Sequence, residues 1–478
     1  MARAYGATAP DAAVCEGHQA PLDWLAALVY DRPALSLAIG SRGSGKSFLS
    51  GLATHVDSLR HPRHATAILG GSLAQSRQIY EALGEFDRRR PGSFAALGKE
   101  SAHYRETGSR VSILAASPRS VRGPHVPTLR IDEVDEVPPD LREAALGMCM
   151  ARDGVGASVS YTSTWHRVGG PVGELVERAR AGELPLWTFC AFEVLERCPE
   201  SRSGPGLERC GECPLVQWCH DGHPLGPKAK RSNGHYAIDA LVQKARGVSG
   251  RVFAADYLCA GPKADGVWFT GFDATDNVSL AAEYDPALPV HLAVDSGVFT
   301  GAVAFQVLHR PRPDPPRVVV FAEYLSEGVP AFQAALAVLE ALGGRLGSRF
   351  RVWTDPAGGA RNPIGPTVLA EYERAGLKAD AWPGGPVADG LALVEALLCP
   401  AAGPPSLLVH PSCVRLVEAL GQYRRARRAG QWMDYPEDPQ HPHEDLVDAL
   451  RGGLRAALPD GLSGPPRRTH VHPYSVIY

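Results

Sequence analysis

The chain has 478 residues, 44% of them hydrophobic and 21% charged, ordinary values for a globular protein of two or three domains. A net charge of −3 excludes a polycation that coats nucleic acid indiscriminately. Any DNA contact must come from local basic surfaces, whose field reaches roughly 8 Å at physiological salt. No apolar run reaches the length of about eighteen residues that a membrane span needs, and the N-terminus lacks a signal peptide's apolar core. The expectation is a chain that stays in the compartment where it is made.

In chain order, the apolar run at 34–39 predicts a buried strand, followed by a Gly/Ser loop and a stretch with helical spacing. Further strands are predicted at 65–71, 111–117, 128–137 and 158–165. Strands alternating with helices predict a mostly parallel sheet covered by helices. Residues 199–235 break this rhythm with Gly, Pro, Cys, Arg and Lys. A second globular unit begins near Val267, with strands predicted at 290–297, 301–309, 317–325 and 349–355, the first two as a hairpin. Helices are predicted at 330–346 and 444–458, and the Pro- and Arg-containing tail is expected to be extended.

Gly40, Ser41, Arg42, Gly43, Ser44, Gly45, Lys46 and Ser47 fit G-x-x-x-x-G-K-[ST] between a strand and a helix. Glycines let backbone N–H groups close around phosphate oxygens, and the helix N-terminus favours negative charge. Lys46 is expected to reach the β- and γ-phosphates of ATP, and Ser47 to ligate Mg²⁺. About 85 residues on, Asp132 and Glu133 end a strand; the first suits the metal's water shell and the second the attacking water. Arg130 interrupts that strand's apolar pattern. Arg42, Arg122 and Arg167 are each candidates to stabilise the transferring phosphate.

In the second unit, Asp295 and Asp355 end separate strands, and Asp445 and Asp448 share one face of the last helix. Carboxylates converging from separate elements can hold two Mg²⁺ or Mn²⁺ ions about 3.5–4 Å apart. Glu323 is a further candidate ligand. Cys198, Cys210, Cys213 and Cys219 fall within 22 residues, spaced for a metal site in a reducing compartment. Four thiolates suit structural Zn²⁺, and C-x2-C-x5-C also suits a [4Fe–4S] cluster. Cys190, His220 or His223 can replace a ligand. Two arginine- and lysine-rich runs, Lys228 to Arg231 and Arg424 to Arg428, read as linker charge or as DNA-backbone contacts.

SRGSGKS, then SVRGPHVPTLRIDE, then YTSTW, in that order, resemble the motor half of the large terminase subunits of tailed bacteriophages. The resemblance implies a P-loop ATPase over 1–198 and a ribonuclease H-like nuclease over 267–460; the Cys-rich metal-binding insert expected over 199–266 departs from the family's pattern, and a tail follows over 461–478. The resemblance implies that Ser163 and Thr164 couple hydrolysis to movement of double-stranded DNA, and that the second unit cuts concatemeric viral DNA. It also implies a homo-oligomeric ring, a pentamer, docked on the procapsid portal protein in the host cytoplasm, with a small terminase subunit choosing the DNA. The rival reading is a P-loop helicase or repair ATPase whose C-terminal half is a non-catalytic DNA- or portal-docking module.

Overall fold

The structure, a computed structural model of the chain, describes residues 8–115, 117, 120–121, 125–165, 167, 170–199, 208–261, 266–310, 315–342, 344–345, 349–359, 366–428 and 431–462. Arg122, residues 200–207 of the Cys-rich segment and the tail beyond 462 lie outside the described residues. The chain divides into two compact units, Met1–Leu241 with Ala254–Lys263, and Val242–Phe253 with Ala264–Tyr478. The Cys-rich segment falls with the first unit. Among the described residues, no helix is long and apolar enough to cross a membrane.

The first unit is built on an eight-stranded sheet of β1 (Leu35–Gly40), β2 (Ala65–Gly70), β3 (Phe94–Leu97), β4 (Ser101–Tyr104), β5 (Arg110–Ile113), β6 (Thr128–Asp132), β7 (Ser158–Ser163) and β8 (Leu186–Phe189), in the order β3-β4-β5-β2-β6-β7-β1-β8. From β5 to β8 neighbours run parallel, while β3 and β4 add an antiparallel edge. Helices on a parallel sheet bury both faces of its strands, so β1, β6 and β7 are almost wholly buried. Helices α1 (Lys46–Arg60) and α2 (Leu73–Arg89) bury Leu49, Leu52, Ile79, Leu83 and Phe86 against Ile68 and Trp24. Emptying a site such as Phe86 to alanine costs about 3–5 kcal/mol.

Arg130, the residue that spoils the apolar pattern, is 1% exposed. It is tolerated because it is paired: Nη2 donates to Asp57 Oδ2 of α1 (3.1 Å) and Nη1 to Ser160 Oγ of β7 (3.1 Å). Arg32 completes the network on the other oxygen of Asp57, at 2.8 Å. A buried charge survives only with such partners.

The second unit holds a six-stranded mixed sheet of β9 (Val290–Ser296), β10 (Phe299–Leu308), β11 (Arg317–Glu327), β12 (Phe350–Thr354), β13 (Ala379–Ala381) and β14 (Leu407–Val409), in the order β13-β12-β9-β10-β11-β14. β9, β10 and β11 are an antiparallel meander, and β12 joins β9 in parallel. Side chains alternate across a strand. Val290, Leu292 and Val294 therefore pack on the face covered by α3 (Ala331–Leu342). Ala293 faces the other core, with α4 (Val387–Leu398), α5 (Val414–Gln422) and α6 (His443–Ala457). By the same alternation Asp295 stands on the side of α6.

Two glycines let α6 lie close. A Cβ on Gly301 would stand 2.6 Å from the backbone of Asp445, and one on Gly453 2.5 Å from Ala293.

Candidate active sites

In the first unit the chain leaves β1 into the phosphate loop and enters α1 at Lys46. Gly43 and Gly45 take positive φ, 76° and 84°, which side chains resist. A Cβ on Gly40 would meet Lys46, Ser44 and Phe189 at 2.7 Å. Lys46 folds back on the loop, donating to the carbonyls of Gly40 (2.9 Å) and Ser41 (3.3 Å), with Glu133 3.5 Å away. The hydroxyls of Ser41 and Ser44 are buried without a hydrogen-bond partner among the described residues. Buried hydroxyls are rarely left unpaired, and here they line a loop shaped for phosphate oxygens.

The strand predicted to run to 137 stops at Asp132, because Glu133 turns to a left-handed φ of 47° and a single helical turn follows. That turn separates the two acids. Asp132 Oδ2 accepts from Ser47 Oγ at 2.7 Å, while Oδ1 accepts from Thr162 Oγ1 at 2.6 Å and from the Glu133 N–H at 3.1 Å. Burial pushes the Asp132 carboxyl up, and the Thr162 bond opposes it. Glu133 Oε2 accepts from Ser163 Oγ and the Thr164 N–H, both at 3.3 Å. This contact follows from strand order, since β7 lies between β6 and β1. Thr162 escaped the sequence reading, although it stands beside the Ser163–Thr164 pair.

Of the three candidate arginines, Arg42 and Arg167 are already engaged, and Arg122 lies outside the described residues. Arg42 pairs with Asp256 at 3.0 Å, and Arg167 donates to the Asp135 carbonyl (2.7 Å) and to Glu136 (2.9 Å).

In the second unit β9 and β12 are parallel neighbours, with Val294 opposite Thr354, so Asp295 and Asp355 leave the sheet side by side. Asp295 and the α6 residues Asp445 and Asp448 line a cleft of about 250 Å³, together with Tyr423, Glu437, Asp438, His441 and Glu444. Burial, and then the charges of Asp448, Asp355 and Asp445, lift Asp295 to about 7. Its carboxylate has no hydrogen-bond or ion-pair partner among the described residues. Two of the other acids are paired: Arg451 grips Asp448 with two bonds of 2.7 and 2.8 Å, and His441 Nδ1 lies 2.9 Å from Asp445 Oδ2, while Asp355 Oδ1 accepts from the Ala357 N–H at 2.6 Å. A site rich in carboxylates, in which Arg451 only partly offsets the repulsion on Asp295, fits hard divalent cations.

Comparison with known proteins gives a fold and no closer relation. No family model and no curated protein matches the chain. A large terminase from a thermophilic bacteriophage aligns over 91% of this chain and 98% of its own, at 14% identity and a TM-score of 0.50. The chain has a large-terminase fold. The HK97 bacteriophage large terminase aligns over 90% of this chain and 92% of its own, with 12% identity and a TM-score of 0.35. The P22 large terminase nuclease domain covers 42% of this chain and 96% of its own, with 16% identity and a TM-score of 0.32.

Within this terminase fold two expected placements differ. Glu323 does not line the acidic cleft; its carboxylate accepts from the N–H groups of Arg415 (2.9 Å) and Leu416 (2.7 Å), capping the start of α5. Arg425 is buried over the Trp268 ring at 4.3 Å and bonds Asp434 at 2.8 Å, so it is part of a packed hairpin, β15 (Arg425–Arg428) and β16 (Gln431–Pro436). Arg427 and Arg428 of the same run are exposed. His441, Glu437 and Asp438 were missed. The clustered acids and histidines of 437–445 were the available signal.

The cysteine quartet shares one segment, the knuckle, but among the described residues it is not one of the groups whose ligand atoms, three or more, lie within 4.8 Å of one another. The Cys198 N–H donates to the Ala229 carbonyl (2.7 Å), and the Ala229 N–H donates to Cys219 Sγ (3.5 Å). Burial pushes the Cys219 thiol up to about 11, with Cys210, Cys213 and Cys198 adding their charge. His220 Nε2 stands 3.0 Å from Cys210 Sγ. Cys190 lies elsewhere, 3.6 Å from Cys15, and does not join the knuckle. The knuckle's basic run is tied down within it: Lys228 bonds the Trp218 carbonyl at 3.0 Å, and Arg231 pairs with Asp221.

Proposed function

We propose that the chain is a large terminase subunit: an ATP-driven motor that moves double-stranded viral DNA into procapsids, and a metal-dependent endonuclease that cuts the concatemer. The observation that carries this is the presence, in one chain of terminase fold, of both a phosphate-loop constellation and an acidic cleft whose central aspartate has no ion-pair partner among the described residues.

In the motor, the loop N–H groups and the Ser41 and Ser44 hydroxyls receive phosphate oxygens. Lys46 swings from the loop carbonyls to the β- and γ-phosphates, and Ser47 and Asp132 hold the Mg²⁺ of the substrate. Glu133 orients the attacking water. Its bonds to Ser163 and Thr164 tie the water's position to the end of β7, a direct path from hydrolysis to movement. Arg42 becomes a phosphate partner only by leaving Asp256.

In the nuclease unit Asp295, Asp355, Asp445 and Asp448 would hold two Mg²⁺ or Mn²⁺ ions, which supply charge stabilisation to both oxygens of an in-line displacement. The chain's own part is to orient these acids. Arg451 fixes Asp448, His441 steers Asp445, and Gly301 lets α6 approach. On drawing together, Cys198, Cys210, Cys213 and Cys219 would hold a structural Zn²⁺, with a [4Fe–4S] cluster as the other occupant their spacing allows. Elemental analysis and a visible absorption spectrum of anaerobically purified protein separate the two. The motor works as a homo-oligomeric ring on the portal with a small terminase subunit.

The test is plasmid cleavage with Mn²⁺. Wild type should nick and linearise supercoiled DNA, and Asp295→Asn with Asp355→Asn should not. Unchanged cleavage by that variant would sink the nuclease assignment and favour a docking role for the second unit.

A further inference from the structure

Neither active site uses Cys15, His18, Cys190 or Glu193, yet the first unit brings them together. Each offers one ligand atom, and these four atoms lie within 4.8 Å of one another. The two sulfurs are 3.6 Å apart, and His18 Nδ1 is 2.9 Å from Glu193 Oε2. Tetrahedral zinc, with bonds of about 2.3 Å to sulfur and 2.0–2.1 Å to nitrogen or oxygen, sets two thiolates roughly 3.7 Å apart and an N,O pair roughly 3.3 Å apart. Those two distances stand within about 0.4 Å of that arrangement before any ion is added, and the remaining pairs lie within 4.8 Å. Cys190 and Glu193 are 1% and 0% exposed, so a cation there would be shielded from water.

We propose that Cys15, His18, Cys190 and Glu193 form a closed structural Zn²⁺ site, separate from the cysteine knuckle. Two thiolates with one imidazole and one carboxylate is a donor set that suits zinc, and hard cations would not choose sulfur. Binding expels the thiol protons and any proton on His18 Nδ1 to solvent. The backbone already serves the site. Glu193 Oε1 accepts from the N–H groups of Val14 (3.2 Å) and Cys15 (2.8 Å), which holds the N-terminal segment against the carboxylate.

The position gives the ion a purpose. Cys190 directly follows β8, whose last carbonyl, on Phe189, accepts from the Ser41 N–H of the phosphate loop at 3.2 Å. Cys15 and His18 come from the segment that pairs with β8 through the Gln19 N–H and the Thr188 carbonyl, 2.9 Å apart. The ion therefore clamps the N-terminal segment onto the strand that braces the phosphate loop.

The test uses the full-length chain, zinc alone as the probe, and peptide-resolved alkylation, which reads Cys15 apart from the knuckle. After chelation, restoring Zn²⁺ should slow alkylation of Cys15 about tenfold or more, because a metal-bound thiolate is a poor nucleophile. The Cys15→Ser, Cys190→Ser chain should hold one zinc fewer than wild type, while alkylation of Cys210 and Cys213 keeps its zinc response. Alkylation of Cys15 at one rate with and without zinc would overturn the proposal even if the double variant failed to fold. A Cys15–Cys190 disulfide in anaerobically purified protein would overturn it as well.

Discussion

Asp132 and Asp295 are both low-exposure aspartates at the ends of sheet strands, and their surroundings treat them in opposite ways. Asp132 is met by three donors, two hydroxyls and one N–H, and Lys46 lies nearby at Glu133. Asp295 is met by three other acids and is lifted to about 7. The first site is assembled in advance and waits for a nucleotide that brings its own metal. The second is under charge repulsion that Arg451 offsets in part and that a proton on Asp295 relieves. Satisfied polar groups stabilise a fold, whereas unrelieved like charges store free energy against it.

The largest expected effect separates the two sites by activity. Lys46→Ala should lower ATP hydrolysis on the order of 10³-fold and leave Mn²⁺-dependent plasmid cleavage intact, since the lost charge acts only on the transferring phosphate. Asp295→Asn should do the reverse by a comparable factor, on the order of 10³-fold in cleavage, through loss of a carboxylate that would hold the metal ions. A single substitution that abolished both activities would break the comparison.

Stability comes next. Asp132→Ala strands three donors and should cost about 1–3 kcal/mol in denaturant unfolding of the nucleotide-free chain. Asp295→Asn removes a repelled charge and should stabilise the metal-free chain at pH 8 by about 1–3 kcal/mol. Adding Mn²⁺ should then stabilise wild type more than the variant. A loss of stability in metal-free Asp295→Asn would mean that the acids of the cleft are structural.

A smaller difference concerns acid. Burial holds His55 down to about 4 and His64 to about 3, both in the first unit, from 6.5. The unfolded chain therefore binds more protons than the folded one over that window. Their contribution is complete above pH 6.5 and is lost as pH falls toward 3. In the second unit His291, held to about 4, has the same sign, but Asp295 has the opposite one. With its folded value raised from 3.8 to about 7, Asp295 contributes fully below 3.8 and loses that contribution as pH rises through 7. Between pH 6.5 and 5, hydrogen exchange should therefore rise more in β2 and β6 than in β9 and β10. Equal loss of protection would count against these opposed roles for the buried histidines and Asp295.

Much of the fold was legible because its signals are local. The phosphate loop, the strand ends at Asp132, Asp295 and Asp355, the 290–309 hairpin and the last helix each follow from a period or a short motif. What escaped depends on tertiary partners. Arg130 looks wrong in a strand until Asp57 is found across from it. Glu323 looks like a ligand until α5 begins on top of it. The Cys15–Cys190 contact joins residues 175 apart, and no spacing rule reaches that far. His441 lies just ahead of the last helix in a stretch without periodicity, and the fold of that stretch brings it to Asp445.

The smallest predicted effect bears on how the motor site is joined to movement. Ser163 and Thr164 hold Glu133 through contacts of 3.3 Å, long enough that each is worth little alone. Ser163→Ala should therefore slow ATP hydrolysis by only about three- to tenfold, the equivalent of roughly 0.7–1.4 kcal/mol. If the pair transmits the state of the site to β7, DNA translocation should fall further than hydrolysis, so that more ATP is spent per base pair moved. Equal losses in the two rates would reduce the pair to a clamp on Glu133. The comparison of the two sites would then stand on electrostatics alone.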